Sequence, residues 1–153
     1  MHTYTARIAW SSNGARFVDS KSSRRHEWTF DGGVAVTASA SPSVVPPPWA
    51  IAEAVDPEEA SRASAASCHM LWFLSLAAKR GFVVERYTDD AVGIMGKSAE
   101  GKLMITRITL RPSVEFPSDG RPSAEVIQAL HREAHKGCFI ANSLKSEIVV
   151  EGA

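Results

Sequence analysis

A long segment that is apolar on nearly every side most strongly limits how this chain can fold. Residues 63–78 are small or apolar at almost every position and belong to a helix that the pattern predicts over residues 57–80. A helix without a polar face must be covered by protein on most sides, by its own sheet and by another subunit. Its longest apolar stretch, MLWFLSLAA at 70–78, is too short to cross a bilayer.

Both ends of this helix carry residues that start and stop helices. Asp56 can cap the helix, Pro57 suits its first position, and Glu59 stands where a capping box places its carboxylate. At the other end, Gly81 can adopt the left-handed conformation that stops a helix. The predicted boundaries are therefore well defined.

Six other segments are rich in β-favouring residues or alternate between apolar and polar ones. The stretch VVPPPWA at 44–50 fits neither a central strand nor a helix, and it separates a β-meander from the first helix. The predicted strands are Tyr4 to Trp10, Arg24 to Phe30, Val34 to Ala40, Phe82 to Tyr87, Ala91 to Met95 and Leu103 to Phe116.

The C-terminal part predicts two more helices and a last strand. Pro122 opens a helix that runs to about Lys136, and Gly137 interrupts it. A short helix follows at residues 138–144, and residues 147–150 end the chain as a strand. The fold class is therefore α+β, in the order β-β-β-α-β-β-β-α-α-β.

The composition limits the partners of this chain. Lysine plus arginine equals aspartate plus glutamate at 17 each, so no net field draws the protein to nucleic acid or to anionic lipid. The N-terminus MHTYTARIAW lacks the apolar region of a signal peptide, and we expect a cytoplasmic protein that does not enter membranes. A length of 153 residues with 44% apolar composition predicts a single domain over residues 1–153.

The chain has two cysteines, which is unlike a secreted disulfide scaffold. Cys68 lies within the apolar helix, where a thiol can serve simply as a small packing group. Cys138 follows Gly137 at the start of the short helix, where free amide donors favour a thiolate. Two thiols that can meet suffice for a cycle of attack on an oxidant, sulfenic acid, disulfide and reduction.

The residues around both cysteines carry a resemblance to a known family. The segments are VDPEEASRASAASCHMLWFLSLAAKRGF around Cys68 and AHKGCFIANSLK around Cys138. They closely resemble the central helix and the second-cysteine segment of OsmC/Ohr proteins. Similarity to one branch of that family also extends to YTARIAW, SRRHEWTFDGG, VVPPPWA and LRPSVEF.

This resemblance implies both a fold and an activity. The fold is an intertwined homodimer in which antiparallel sheets wrap around central helices. The activity is the reduction of organic hydroperoxides in defence against oxidative stress, with an external dithiol or a dithiol-bearing protein as the reductant. The resemblance implies no metal and no organic cofactor.

Individual roles follow from the positions that match the family. Cys68 matches the peroxidatic cysteine and Cys138 matches the resolving cysteine. Glu58 matches the carboxylate that follows proline at the start of the family's helix, where it pairs with an arginine that holds the thiolate.

The arginine is not fixed by the sequence, because the N-terminal region is diverged. We favour Arg24, in SRRHEW, over Arg25, since neighbouring strand residues point to opposite faces and only one of the two can look inward. Solvated strand charges are the ordinary explanation for both. The four candidates are Arg7, Arg16, Arg24 and Arg25.

Helix geometry adds an expectation about the subunits. Ten helical residues separate Glu58 from Cys68, which is about 15 Å of rise, so the two side chains cannot touch within one straight helix. If both act at one site, Glu58 comes from the partner chain, as an antiparallel helix pair centred near Ala63 would allow. The small residues of SRASAAS around this position permit close approach, although helix propensity also explains them.

Three apolar residues adjoin the cysteines and form the predicted substrate pocket. Leu71, Trp72 and Phe139 would favour an alkyl peroxide over hydrogen peroxide. Core packing is the competing explanation for these side chains.

Two other functions compete with a peroxidase. His131, His135 and Cys138 have the spacing H-x3-H-x2-C, which could bind zinc together with Cys68 or His69, but Gly137 interrupts the helix between them. We therefore predict no metal site. The second alternative is a non-catalytic member of the family that binds an apolar ligand in the same cavity.

Overall fold

The three N-terminal strands form an antiparallel sheet in the order β1-β2-β3. In the computed structural model, which describes residues 2–152, the chain forms two compact units that divide between Ala60 and Ser61. This sheet belongs to the first unit, and its strands are shorter than the predicted ones. They are β1 (Ala6–Ala9), β2 (His26–Phe30) and β3 (Ala35–Ala38).

The first helix, α1 (Pro57–Lys79), has the predicted ends. Asp56 accepts a hydrogen bond from the backbone N–H of Glu59 at 2.7 Å, and the Glu59 carboxylate accepts one from the N–H of Asp56 at 3.2 Å. Gly81 adopts a φ of +81°, and the N–H of Phe82 closes the turn on the carbonyl of Ala77 at 3.0 Å. The capping box and the glycine stop are therefore both confirmed.

The chain itself buries only one face of α1. Ala65, His69, Phe73 and Ala77 are buried, at a spacing of four residues that marks a single stripe. The opposite face is exposed, including Leu71, of which 60% is accessible. We predicted that protein covers this helix on most sides, and the described chain covers only one of them.

The strands of the second unit form two further sheets. β4 pairs antiparallel with β7, while β6 lies between β5, antiparallel to it, and β8, parallel to it. These strands are β4 (Arg86–Asp89), β5 (Val92–Lys97), β6 (Leu103–Leu110), β7 (Pro112–Glu115) and β8 (Glu147–Val150).

The strand predicted over 103–116 divides in two, which adds one strand to the predicted order. Its first part pairs with β5 and β8, and its second part leaves that sheet to pair with β4. The division falls at Arg111, whose N–H is bound by the Asp89 carboxylate at 2.7 Å, and Pro112 has no N–H with which to continue a ladder.

Two helices precede the last strand, as predicted. They are α2 (Ala124–Gly137), capped by Ser123, and α3 (Phe139–Ser143). A core cluster joins α1 to α2 through buried Phe73, Leu130 and Ala134. None of the helices within the described residues has the length and apolar character needed to span a bilayer.

Candidate functional site

The fold brings the two cysteines together although 70 residues separate them in sequence. Cys68 projects from the middle of α1, and Cys138 occupies the junction between α2 and α3. Both are free, and Cys68 lies near enough to Cys138 to help raise the pKa of its thiol. They are unequally exposed, since Cys68 is half-buried whereas only 1% of Cys138 is accessible.

Cys138 ends one helix and begins the next. Its N–H donates to the carbonyl of Ala134 at 2.9 Å, and its Sγ accepts a hydrogen bond from the N–H of Ala141 at 3.3 Å. The predicted position at a helix start is therefore confirmed. The predicted preference for a thiolate is wrong, because burial and the neighbouring Cys68 thiol together raise the pKa of the Cys138 thiol to about 11. The backbone amides of Ile140 and Ala141, on a helix of five residues, only partly oppose this rise.

This arrangement gives the two thiols different chemistry. At neutral pH Cys138 keeps its proton and is shielded from solvent, whereas Cys68 is the thiol that a dissolved oxidant can reach. A disulfide between them requires the two sulfur atoms to approach to about 2 Å.

The predicted pocket residues fall into two groups. The rings of Trp72 and Phe139 meet edge to face with centroids 5.6 Å apart, which joins α1 to α3. Trp72 is half-buried and packs against the core cluster. Leu71 and Phe139 are 60% and 68% exposed, so core packing within this chain does not explain them.

Gly137 is a residue that sequence analysis treated only as a helix break. A Cβ atom at this position would lie 2.8 Å from the ring of Trp72. The indole therefore occupies the space beside the backbone at the end of α2, directly before Cys138. Only glycine permits this approach without displacing the ring.

Arg24 lies in the N-terminal unit and is half-buried, while Arg25 is exposed. Arg24 is therefore the more buried of the two arginines. The Arg24 guanidinium donates hydrogen bonds to the carbonyl oxygens of Ser20 and Ser22 and to the Ser22 hydroxyl. It borders a cavity of about 790 Å³ within that unit, whose apolar lining includes Ile8 and Trp10.

Glu58 lies in the first turn of α1, also in the N-terminal unit. Its Oε2 atom is buried and has no hydrogen-bond partner among the described residues. A buried carboxylate oxygen without a partner is costly, so this atom is suited to a cationic partner that the described chain does not supply.

A buried histidine pair joins α1 to α2. His69 Nε2 and His131 Nδ1 are 3.0 Å apart, and the two rings are nearly parallel with an interplanar angle of 4°. Burial lowers the pKa of both imidazoles to about 4, so both are neutral at physiological pH. The sequence pattern singled out His69, His131 and His135 only as possible zinc ligands, and it did not predict that His69 and His131 form a pair.

The geometry gives no support to zinc. Across residues 2–152, no cluster of three or more histidine, cysteine, aspartate or glutamate side chains is arranged to bind a metal ion. One nitrogen of His131 is already occupied by its hydrogen bond to His69.

The chain is similar in sequence and in structure to known proteins. A sequence model of the family described as OsmC-like protein matches residues 51–152. The structure of an OsmC-like protein of unknown function from Vibrio cholerae is 47% identical, covers 99% of each chain and has a TM-score of 0.96. No curated protein sequence matches the chain.

More distant structures share the fold. An organic hydroperoxide resistance protein from Elizabethkingia anophelis has a TM-score of 0.71 at 16% identity, covering 99% of this chain and 94% of its own. The corresponding protein OhrB from Bacillus subtilis has a TM-score of 0.65 at 16% identity, covering 97% and 95%.

The contact between Gly137 and Trp72 predicts an unusual effect of alanine. Alanine normally stabilises a helix relative to glycine, but Gly137→Ala should lower the free energy of unfolding by about 1–3 kcal/mol because its Cβ overlaps the indole. Urea denaturation measures this change. Gly120→Ala is the control, since no atom lies within 4 Å of its Cβ position. Equal stability of the two variants would contradict the prediction.

Proposed function

Because the chain belongs to the OsmC-like protein family, we propose that it is a thiol-dependent peroxidase that reduces organic hydroperoxides. Cys68 is the peroxidatic residue and Cys138 the resolving residue. The observation that carries this proposal is the proximity of two free thiols of unequal exposure. The names of two structural relatives, both organic hydroperoxide resistance proteins, support the substrate class.

The proposed cycle consists of two successive displacement reactions followed by a reduction. The Cys68 thiolate attacks the terminal peroxide oxygen, the O–O bond breaks, and an alcohol leaves after protonation. Cys138 then loses its proton and attacks the Cys68 sulfenic acid, forming the disulfide and releasing water. An external dithiol reduces the disulfide by exchange and is itself oxidised. No metal or organic cofactor takes part.

Arg24 and Glu58 complete the proposed site. The guanidinium donates hydrogen bonds to the Cys68 thiolate and to the departing oxygen, and the carboxylate orients the guanidinium. The unpartnered Oε2 of Glu58 supports its role, and Arg24 would exchange its hydrogen bonds to Ser20 and Ser22 for those to the thiolate. Leu71, Trp72 and Phe139 supply an apolar surface for the alkyl group of the substrate.

The working form in this proposal is a cytoplasmic homodimer with shared sites. Glu58 and Cys68 stand about 15 Å apart along one helix, so Glu58 serves the Cys68 of the other subunit. The exposed face of α1 supports this arrangement, since its small side chains allow another helix to approach closely. Its exposed residues include Ser64, Ser67, Leu71, Ser75 and Ala78.

Replacing each cysteine should stop the reaction at a different step. Cys68→Ser should abolish the consumption of cumene hydroperoxide, whereas Cys138→Ser should complete one turnover and accumulate a sulfenic acid. Single-turnover peroxide assays with mass spectrometry of the protein measure both outcomes. Steady-state activity retained in Cys68→Ser would rule out the mechanism.

The same assay separates the peroxidase from a protein that merely binds an apolar ligand. The apolar cavity of about 790 Å³ in the N-terminal unit is the feature that favours binding. A peroxidase should lose its thiols faster with one equivalent of cumene hydroperoxide than with hydrogen peroxide. Slow loss without preference would favour the binding protein instead.

Shared sites predict complementation between inactive subunits. Glu58→Ala and Cys68→Ser should each be nearly inactive as pure dimers. After subunit exchange in equal amounts, activity should recover to about one quarter of the wild-type value, because half of the dimers are mixed and each has one intact site. Analytical ultracentrifugation confirms the dimers. No recovery, or full activity in a monomer, would contradict the shared site.

A further inference from the structure

The buried pair of His69 and His131 has no role in the cycle described above. Their exposed fractions are 1% and 3%, and a 3.0 Å hydrogen bond joins Nε2 of His69 to Nδ1 of His131. Phe73 packs against the His131 ring with centroids 4.4 Å apart. The pair therefore forms a directional contact between α1 and α2 among buried apolar side chains, while a partly exposed ion pair of Arg80 with Glu133 lies at the edge of the same interface.

This contact involves the same two helices that bring the thiols together. His69 follows Cys68 directly on α1, and His131 stands seven residues, about two turns, before Cys138 on α2. A sliding movement of α2 along α1 would break the imidazole hydrogen bond and carry Cys138 away from Cys68. The intervening buried Ala134 is too small to resist such sliding by its shape.

The surroundings keep the pair neutral. Burial is the largest cause of the lowered pKa of both imidazoles, and electrostatic interaction with His131 and His135 lowers the pKa of His69 further. On the outer side, a cavity of about 310 Å³ is lined by His131, His135, Arg132 and Lys136, together with β8 side chains. None of its lining residues, all within the described chain, is a carboxylate that could stabilise an imidazolium.

The pair is an imperfect way to fill a core. His69 Nδ1 is buried without a hydrogen-bond partner in the described residues, in either tautomer that the pair can adopt. An apolar pair of similar size would avoid this cost. Two imidazoles instead form a hydrogen bond that depends on orientation, and this bond forms in only one register of the two helices.

We propose that His69 and His131 are positioning residues for the disulfide-forming step, because their hydrogen bond fixes α2 on α1 and keeps Cys138 within reach of the Cys68 sulfur. The proposal rests on the peroxidase function proposed above. The pair does not touch the peroxide, so the attack of Cys68 is independent of it. Only the second displacement depends on it.

Two nearly isosteric substitutions separate the hydrogen bond from packing. In His131→Asn, the side-chain amide can place an oxygen or nitrogen close to the position of Nδ1, whereas His131→Leu fills a similar volume without a polar atom. In a single turnover with cumene hydroperoxide, both variants should consume peroxide at nearly the wild-type rate. The Leu variant should form the disulfide about tenfold or more slowly, and the Asn variant should retain most of the rate.

Two outcomes would overturn the proposal. Wild-type disulfide formation in the Leu variant would show that the pair does not position Cys138. Equal slowing in the Asn and Leu variants would show that the polar contact is not the cause. His69→Gln, whose amide can reach the position of Nε2, is tested beside His69→Leu as a second pair, so that poor folding of one variant leaves the question answerable.

A measurement without peroxide distinguishes failure of this proposal from failure of the peroxidase function. Equilibration with reduced and oxidised glutathione gives the effective concentration of Cys138 at Cys68 in each folded variant. This value should fall about tenfold in His131→Leu and not in His131→Asn, whether or not the protein consumes peroxide. An unchanged value in His131→Leu would overturn the positioning role.

The pH dependence of stability provides a readout for the burial of the pair. Since the folded pKa values, about 4, lie below the ordinary value of 6.5, the unfolded chain binds protons that the folded chain does not. The part of the wild-type stability that depends on the neutral pair should be fully present above pH 6.5 and be lost as the pH falls towards 4. His131→Leu should show a shallower decrease over this window, and an equally steep one would argue against a buried neutral pair.

Discussion

The packing of α1 against α2 is the interaction on which the arrangement of both thiols depends. One stripe of α1 is buried, and Phe73 at its centre contacts both the apolar cluster and the His131 ring. Cys68 lies on α1 and Cys138 directly follows α2, so the packing of these two helices brings the thiols close together. The two cysteines are 70 residues apart in sequence, so no local contact can hold them together. Their proximity is a consequence of helix packing.

Burial decides the properties of the groups at this interface. A helix start normally favours a thiolate, but Cys138 begins a helix of only five residues and is almost completely shielded from water. The cost of removing a charge from water exceeds the benefit of the two backbone amides at this helix start, so the thiol stays protonated. The same cost keeps His69 and His131 neutral. In the proposed cycle, Cys138 therefore loses its proton only after Cys68 has become electrophilic.

The parts of the fold that could be predicted are those encoded by neighbouring residues. The capping box at Asp56 and Glu59 and the glycine stop at Gly81 act within one helical turn, and all three behave as expected. The division of the long strand at Arg111 and the proximity of Cys68 to Cys138 depend on partners distant in sequence. No periodicity encodes such partners. The histidine pair escaped prediction for the same reason, since His69 and His131 are 62 residues apart.

Two contacts hold the end of α2 on α1 by different physical means. The indole of Trp72 fills the space left by Gly137, which restrains how closely the backbone approaches, and the imidazole pair restrains sliding. A restraint on distance and a restraint on register together leave Cys138 little freedom relative to Cys68. In the proposed cycle the thiols already lie close together before oxidation, so the helices need not separate for the disulfide to form. The entropy that a mobile resolving cysteine would lose at this step is instead lost once, when the chain folds.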